Sequence, residues 1–121
     1  MTYTIIIPVH NEARCIPILM AELEIFSRDN EILIIDDGST DNSNKLLLEF
    51  NFINLISLKS NQGKGAAIKA GLKRAKNNKI VLIDGDLELD TSELKKLMIL
   101  DKTNSIECVF GSRFKVIEPF K

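Results

Sequence analysis

The chain repeats one pattern four times: a short β-forming apolar run ends in a polar, turn-forming motif, and residues at helical spacing follow. Residues 3–9 lead into HNEA, 31–36 into DDGSTD, 54–58 into NQGKG and 80–84 into DGDLELD. Such alternation predicts strand–helix–strand units, and hence an α/β fold of three layers, α/β/α, around a mostly parallel sheet. Parallel strands present their C-terminal ends along one edge. The four motifs are therefore expected to converge there, where open α/β sheets bind ligands.

The run 31–36 is apolar on successive rather than alternate residues, which predicts an interior strand covered on both faces. Ile16, Leu19, Met20, Leu23 and Phe26 fall on one face of a 3.6-residue period, marking a helix after the first strand. NKLLLEF at 44–50 predicts a short helix, preceded by Asp, Ser and Asn residues that can cap its N–H groups. In 65–76, Ile68, Leu72 and Ala75 predict a buried stripe, and Lys69, Lys73 and Lys76 an exposed one. Asp90 and Glu93 stand at capping-box spacing ahead of Leu94, Leu97 and Met98, with Asp in the Ser/Thr place. A fifth strand, 107–110, leads into GSRF.

At 121 residues, 45% hydrophobic and 27% charged, the chain suits one globular domain with an ordinary core. Sixteen basic residues against seventeen acidic leave a net charge of -1, so no general attraction for nucleic acid or anionic lipid is expected. Any phosphate must be held locally. Cys15 and Cys108 lack a second Cys or a His at metal-ligand spacing and are expected to be buried, reduced thiols of a cytosolic protein. The N-terminus enters a strand-like run without a basic region before it, so no secretory signal is expected. Apolar runs such as TIII and ILII are far shorter than the roughly 20 residues that span a bilayer.

Four carboxylates, Asp84, Asp86, Glu88 and Asp90, fall within seven residues. Like charges so close repel unless a cation sits among them. Asp84 and Asp86 flank Gly85, which lets the backbone bend around a ligand, and two carboxylates at i and i+2 can share one Mg²⁺ or Mn²⁺. Glu88 could extend the set. An EF-hand is excluded, because Leu89 stands where that loop needs Gly and Lys95 where it needs Glu. A solvated acidic turn capping the next helix accounts for these residues equally well on local sequence, and for Asp90 better. In IDDGSTD, Gly38 turns the chain and Asp41 suits a helix cap. Adjacent Asp36 and Asp37 are less easily explained, since a carboxylate at a strand end must accept hydrogen bonds, from the chain or from a base N–H or ribose hydroxyl.

NQGKG before a helix is a candidate anion site, with Lys64 adding charge, or equally a Gly-rich turn. His10, the lone histidine, most simply reads as a half-buried polar residue rather than a catalyst. Arg113 could pair with a phosphate oxygen at the same edge or form a surface salt bridge.

Taken together, TIIIPVHNEA, EILIIDDGSTDNS, NQGKGAAIKAGL, VLIDGDLELD and GSRF, in this order and spacing, resemble the N-terminal half of family-2 glycosyltransferases of the GT-A fold, especially the dolichyl-phosphate mannose synthase branch. Each motif alone is weak; five in register across nearly the whole chain are specific. The resemblance implies the Rossmann-like nucleotide-binding half of a GT-A fold. It also implies inverting transfer of a sugar from a nucleotide-diphosphate donor, a UDP- or GDP-sugar, with Mg²⁺ or Mn²⁺. Pro8, Val9, His10, Asn11 and Glu12 match the family's first nucleotide-binding loop, and Asp37 the carboxylate that recognises the base. Lys64 and Gly65 match a loop beside the nucleotide. Asp84, Gly85 and Asp86 match the DxD motif, with Asp86 the foremost metal ligand, and Glu88 falls where the branch has Gln, also a ligand type. Arg113 matches an arginine near the donor phosphates or the phosphate of a lipid acceptor, so Asp86 and Arg113 are the expected catalytic residues.

His10 stands where the family commonly has Tyr, a difference that bears on base stacking. Family members continue past GSRF through elements that build the acceptor site, so residues 1–121 are expected to be the nucleotide-diphospho-sugar-binding portion of a longer catalytic domain. The branch implies a polyprenyl-phosphate acceptor and a cytoplasmic protein peripheral to the membrane, with no nucleic-acid partner. Two other readings stand beside transfer: a donor-binding module without catalysis, and a receiver-like signalling domain, whose strand-end carboxylates also bind Mg²⁺.

Overall fold

A computed structural model describes residues 3–83 and, beyond them, the strands at 108–110 and 116–117. Six strands form one sheet: β1 (Thr4–Val9), β2 (Glu31–Asp37), β3 (Asn54–Leu58), β4 (Ile80–Leu82), β5 (Cys108–Phe110) and β6 (Val116–Ile117). Their spatial order is β3-β2-β1-β4-β5-β6. The first five run parallel and β6 pairs antiparallel with β5. This is the doubly wound order of dinucleotide-binding domains, not the 2-1-3-4-5 order of receiver-like domains, so the signalling reading is set aside.

The third predicted strand is found with its predicted limits, and the second runs one residue further, to Asp37. Every residue of β1 and β2 is buried, as the unbroken apolar pattern of the second run requires. Pleating sends their side chains alternately to the two faces. On one face Ile5, Ile7, Ile32 and Ile34 pack with Ile16, Leu19, Met20, Leu23 and Phe26. These five are the predicted apolar stripe, carried by α1 (Ile16–Leu23) and the 3-10 turn Glu24–Arg28 that follows it. Pro17 in the first turn of α1 is preorganised for a helix start. The short helix α2 (Ser43–Leu47) adds Leu47 to the same layer.

The other face, Ile6, Leu33 and Ile35, is covered by α3 (Lys64–Arg74). Here the sequence reading needs correction. The fully buried line of α3 is Ala67 and Gly71, while Ile68, Leu72 and Ala75 are half-buried at its flank. A Cβ on Gly71 would lie 2.8 Å from Ile35 Cδ1 and 2.9 Å from Ile6 Cγ2, so the helix sits closer to the sheet than larger residues permit.

Cys15 is free and half-exposed at the start of α1, not buried. The predicted helix after Asp90 lies outside the described residues. The strand β6 was not anticipated by the sequence pattern, which ended at GSRF.

Candidate functional site

The loops after β1, β2 and β3 meet at the C-terminal edge of the sheet, as the strand–motif alternation predicts. Three residues among those described have positive φ: Asn11 at 52°, Gly38 at 67° and Gly63 at 99°, one in each loop. Gly38 permits the tightest approach, since a Cβ there would fall 2.3 Å from the Ser60 carbonyl carbon and 2.4 Å from Asn61 N. Only glycine lets the β2 and β3 loops touch in this way.

Side chains then tie the three loops together. Asn11 Oδ1 accepts from the N–H groups of Thr40 at 2.7 Å and Asp41 at 3.2 Å, and Asn11 N–H donates to Ser39 Oγ at 2.9 Å. Glu12 N–H donates to buried Ser43 Oγ at 2.9 Å. Asp37, 4% exposed, accepts from Gln62 N–H at 2.8 Å on Oδ1 and from Gly63 N–H at 2.9 Å on Oδ2. Asp36 accepts from Ser39 N–H at 3.1 Å. Both adjacent aspartates thus have the acceptor work that a buried strand-end carboxylate requires.

His10 is the hub. Its Nδ1 lies 2.8 Å from the Asp37 carbonyl oxygen, which can only accept, so Nδ1 carries the proton. Its Nε2 faces the Asn61 side-chain nitrogen at 3.1 Å and that of Asn11 at 3.3 Å. Both amide orientations are fixed independently, because Asn11 Oδ1 takes the Thr40 N–H and Asn61 Oδ1 takes the Gly63 N–H at 3.1 Å. Nε2 is therefore an acceptor, and one imidazole links the ends of all three strands.

Around it opens a cavity of about 250 Å³, lined among the described residues by Pro8, Val9, His10, Glu12, Asp37, Asn61 and Lys64. It is smaller than the roughly 300–1,000 Å³ of a whole-ligand pocket, and suits part of a ligand. A carboxylate with unused lone pairs, an imidazole edge, an amide and an ammonium line it. That set can accept from a base N–H or sugar hydroxyl at one end and meet an anion at the other.

Six of the residues singled out from the sequence line this cavity. Asn11 instead holds the loops behind it, and exposed Gly65 is not part of the lining. Asn61 was missed; nothing but its place before QGKG distinguishes it from the chain's other asparagines. The anion reading of NQGKG is also narrowed, since the Gln62 and Gly63 N–H groups that a phosphate would use are engaged by Asp37. Lys64 remains at the cavity.

Asp41 adds a further tie between the first two loops, accepting from Ala13 N–H at 3.2 Å and from Ser43 N–H at 2.9 Å. A hydrogen bond from the Ser43 hydroxyl holds its carboxyl below the ordinary carboxylate range, slight burial opposes this, and the N–H groups of Ser43 and Ala13 add to the lowering. Among the described residues no group of three or more His, Cys, Asp or Glu side chains could hold a metal ion. The predicted ligands Asp84, Asp86 and Glu88, with Gly85 and Arg113, lie outside the described residues. β4 carries the chain toward the same edge beside β1, with Ile83 N–H donating to Ile6 O at 3.0 Å.

Curated relatives include two transferases named undecaprenyl-phosphate 4-deoxy-4-formamido-L-arabinose transferase. The protein from Proteus mirabilis is 32% identical, over 78% of this chain and 32% of its own length. That from Yersinia enterocolitica is 34% identical over the same shares. The chain thus spans about a third of these relatives. Among solved structures, Staphylococcus aureus TarS 1-349 in complex with UDP-GlcNAc superposes with a TM-score of 0.76 at 22% identity, over 87% of this chain and 32% of that one. The mannosyltransferase PcManGT from Pyrobaculum calidifontis, in complex with GDP-Man and Mn²⁺, gives 0.63 at 23%, over 79% and 31%. These likenesses establish a Rossmann-like fold of the GT-A kind. The profile of Glycosyl transferase family 2 matches residues 4–121, and the chain belongs to that family.

Proposed function

We propose that this chain is the donor-binding portion of an inverting glycosyltransferase that moves a sugar from a UDP- or GDP-linked donor to a lipid phosphate. The observation that carries the reading is the cavity at the sheet's C-terminal edge, lined by Pro8, Val9, His10, Glu12, Asp37 and Lys64. Those are residues that the family resemblance assigns to the nucleotide. The lipid-phosphate acceptor is supported by the named specificity of the relatives. A divalent cation is supported by the Mn²⁺ bound to the Pyrobaculum calidifontis mannosyltransferase. In this chain Asp84, Asp86 and Glu88 would hold the ion, Mg²⁺ or Mn²⁺, which when bound neutralises charge on the departing nucleotide diphosphate. Asp37 and His10 orient the nucleoside, and Arg113 meets a phosphate of the donor or the acceptor.

A thermal-shift panel of UDP-, GDP- and CMP-sugars, with and without Mn²⁺, tests the donor. Stabilisation by a UDP- or GDP-sugar that grows with Mn²⁺ is expected; indifference to all three would refute the reading. In an enzyme active in transfer, Asp86→Ala is expected to abolish turnover, and unchanged turnover would remove the metal role.

A second reading is that these residues bind donor without transferring it. Sugar transfer or donor hydrolysis by the 121-residue chain with Mn²⁺ would exclude that reading.

No helix among the described residues is long and apolar enough to cross a membrane. The proposed place of the chain is peripheral, at the cytoplasmic membrane face where a lipid-linked acceptor would be met.

A further inference from the structure

We infer that the outer face of α3 is a docking surface for an anionic lipid bilayer. The net charge of -1 conceals an uneven distribution: from Lys59 to Ile83 there are six lysines, one arginine and no acidic residue. The remainder of the chain therefore carries nine basic residues against all seventeen acidic ones. Lys59, Lys64, Lys69, Lys73, Arg74 and Lys76 are all exposed.

The fold gives these charges a common direction. Ala67 and Gly71 press α3 onto Ile6 and Ile35, and Lys69 and Lys73, one turn apart, stand on the opposite side of the helix. Like charges at that spacing disfavour an isolated helix, a cost that an apposed layer of negative charge offsets. The helix is about 16 Å long at 1.5 Å per residue and starts at Lys64, which lines the cavity. The basic face and the donor cavity are joined at that residue.

Anionic phosphates could belong to a bilayer or to a nucleic acid, and the composition of this face favours the bilayer. Single-stranded nucleic acids are held by basic grooves interleaved with aromatic side chains, and the stretch 59–83 contains no aromatic residue. The large exposed hydrophobic residues among those described, Ile18, Ile25 and Leu48, all lie outside α3, so this helix offers charge without an inserting wedge. Such a surface rests on lipid head groups and is released by salt. The inference rests on the reading of a lipid-phosphate acceptor, which obliges the site to be brought to a membrane surface.

The test is co-sedimentation of the 121-residue chain with vesicles of phosphatidylcholine alone and of phosphatidylcholine mixed with phosphatidylglycerol, at low salt and at about 0.5 M salt. Binding only to the anionic vesicles, and lost at high salt, is expected. The variant Lys69→Gln/Lys73→Gln/Lys76→Gln, which alters only exposed side chains, is expected to bind them about a hundredfold more weakly. Equal binding to both vesicles, unchanged binding of the variant, or preference for an RNA oligomer over the anionic vesicles would each overturn the inference. Thermal shift with UDP- and GDP-sugars on the same samples separates the two proposals. A donor response without vesicle binding defeats the surface alone, and vesicle binding without a donor response defeats the donor reading alone.

Discussion

The strand β2 begins and ends on a buried carboxylate, and its two ends show how differently the same chemistry can be used. Glu31, 2% exposed at the N-terminal edge, accepts from the Thr4 hydroxyl at 2.7 Å, from Lys76 N–H at 2.9 Å and from the Asn54 amide at 3.0 Å. Around it Asn77 bonds to Tyr3 O and Thr4 Oγ1, and Asn30 to Tyr3 N–H and Phe26 O. Asp37, 4% exposed at the other end, is also satisfied by N–H donors, yet faces a cavity. Burial and hydrogen bonding do not tell the two apart. What does is open space, together with the backbone: each positive-φ residue among those described sits in a loop at the Asp37 end. Glu31 is a structural staple that joins β1, β2, β3 and the segment after α3, whereas Asp37 fixes a loop at the edge of the cavity.

This contrast can be broken by mutation. The largest effect is expected from Gly38→Ala, which combines a left-handed backbone with a Cβ 2.3 Å from the Ser60 carbonyl carbon. A loss of more than about 3 kcal/mol in urea unfolding is expected. A cost within experimental error would mean that the β2 and β3 loops are not pressed together. Next is Glu31→Ala, which strands one buried and two half-buried donors and is expected to cost about 2–4 kcal/mol. Nucleotide affinity, measured by calorimetry on the folded variant, is expected to change by less than about twofold, since the sites are at opposite edges. A large affinity loss would show that the two edges are coupled.

Asp37→Asn is expected to reverse the balance. The Gln62 and Gly63 N–H groups donate to different oxygens of Asp37, so the new amide NH2 would face one of them donor to donor; about 1–2 kcal/mol of stability is lost, but nucleotide affinity falls at least about tenfold. The smallest effect belongs to Asp41. Its folded carboxyl is held below the ordinary carboxylate range, so it contributes stability that is present at and above that range and lost as pH falls through the depressed folded value. Unfolding of Asp41→Asn against wild type should show a modest deficit at neutral pH that closes in acid. A deficit that persists unchanged in acid would assign it to lost packing instead.

Much of this architecture was legible because it follows from local pattern. Continuous apolar runs gave β1, β2 and β3, and the spacing of Ile16, Leu19, Met20, Leu23 and Phe26 gave the helical layer over one face. The stripe of α3 was misplaced because side-chain size was taken as the sign of burial. Close approach of helix to sheet favours Ala67 and Gly71 instead, and that distance is a tertiary quantity. The cavity residues were legible as motifs at strand ends. The bonds that make them one site were not. Whether Asp37 reads a ligand or clamps the NQG turn, and whether His10 reaches Asn61, depends on the register of β2 against β3, which sequence spacing does not encode. The Glu31 cluster was invisible for the same reason, its partners being 23 to 45 residues away in the chain.

The central claim is that the cavity beside Asp37 holds the nucleotide of a sugar donor. A crystal structure of the chain with UDP or GDP and Mn²⁺ tests it directly. The account predicts nucleoside density between His10 and Lys64, within hydrogen-bonding reach of the Asp37 carboxylate. Nucleotide bound elsewhere on the protein, with that cavity filled only by water, would contradict it.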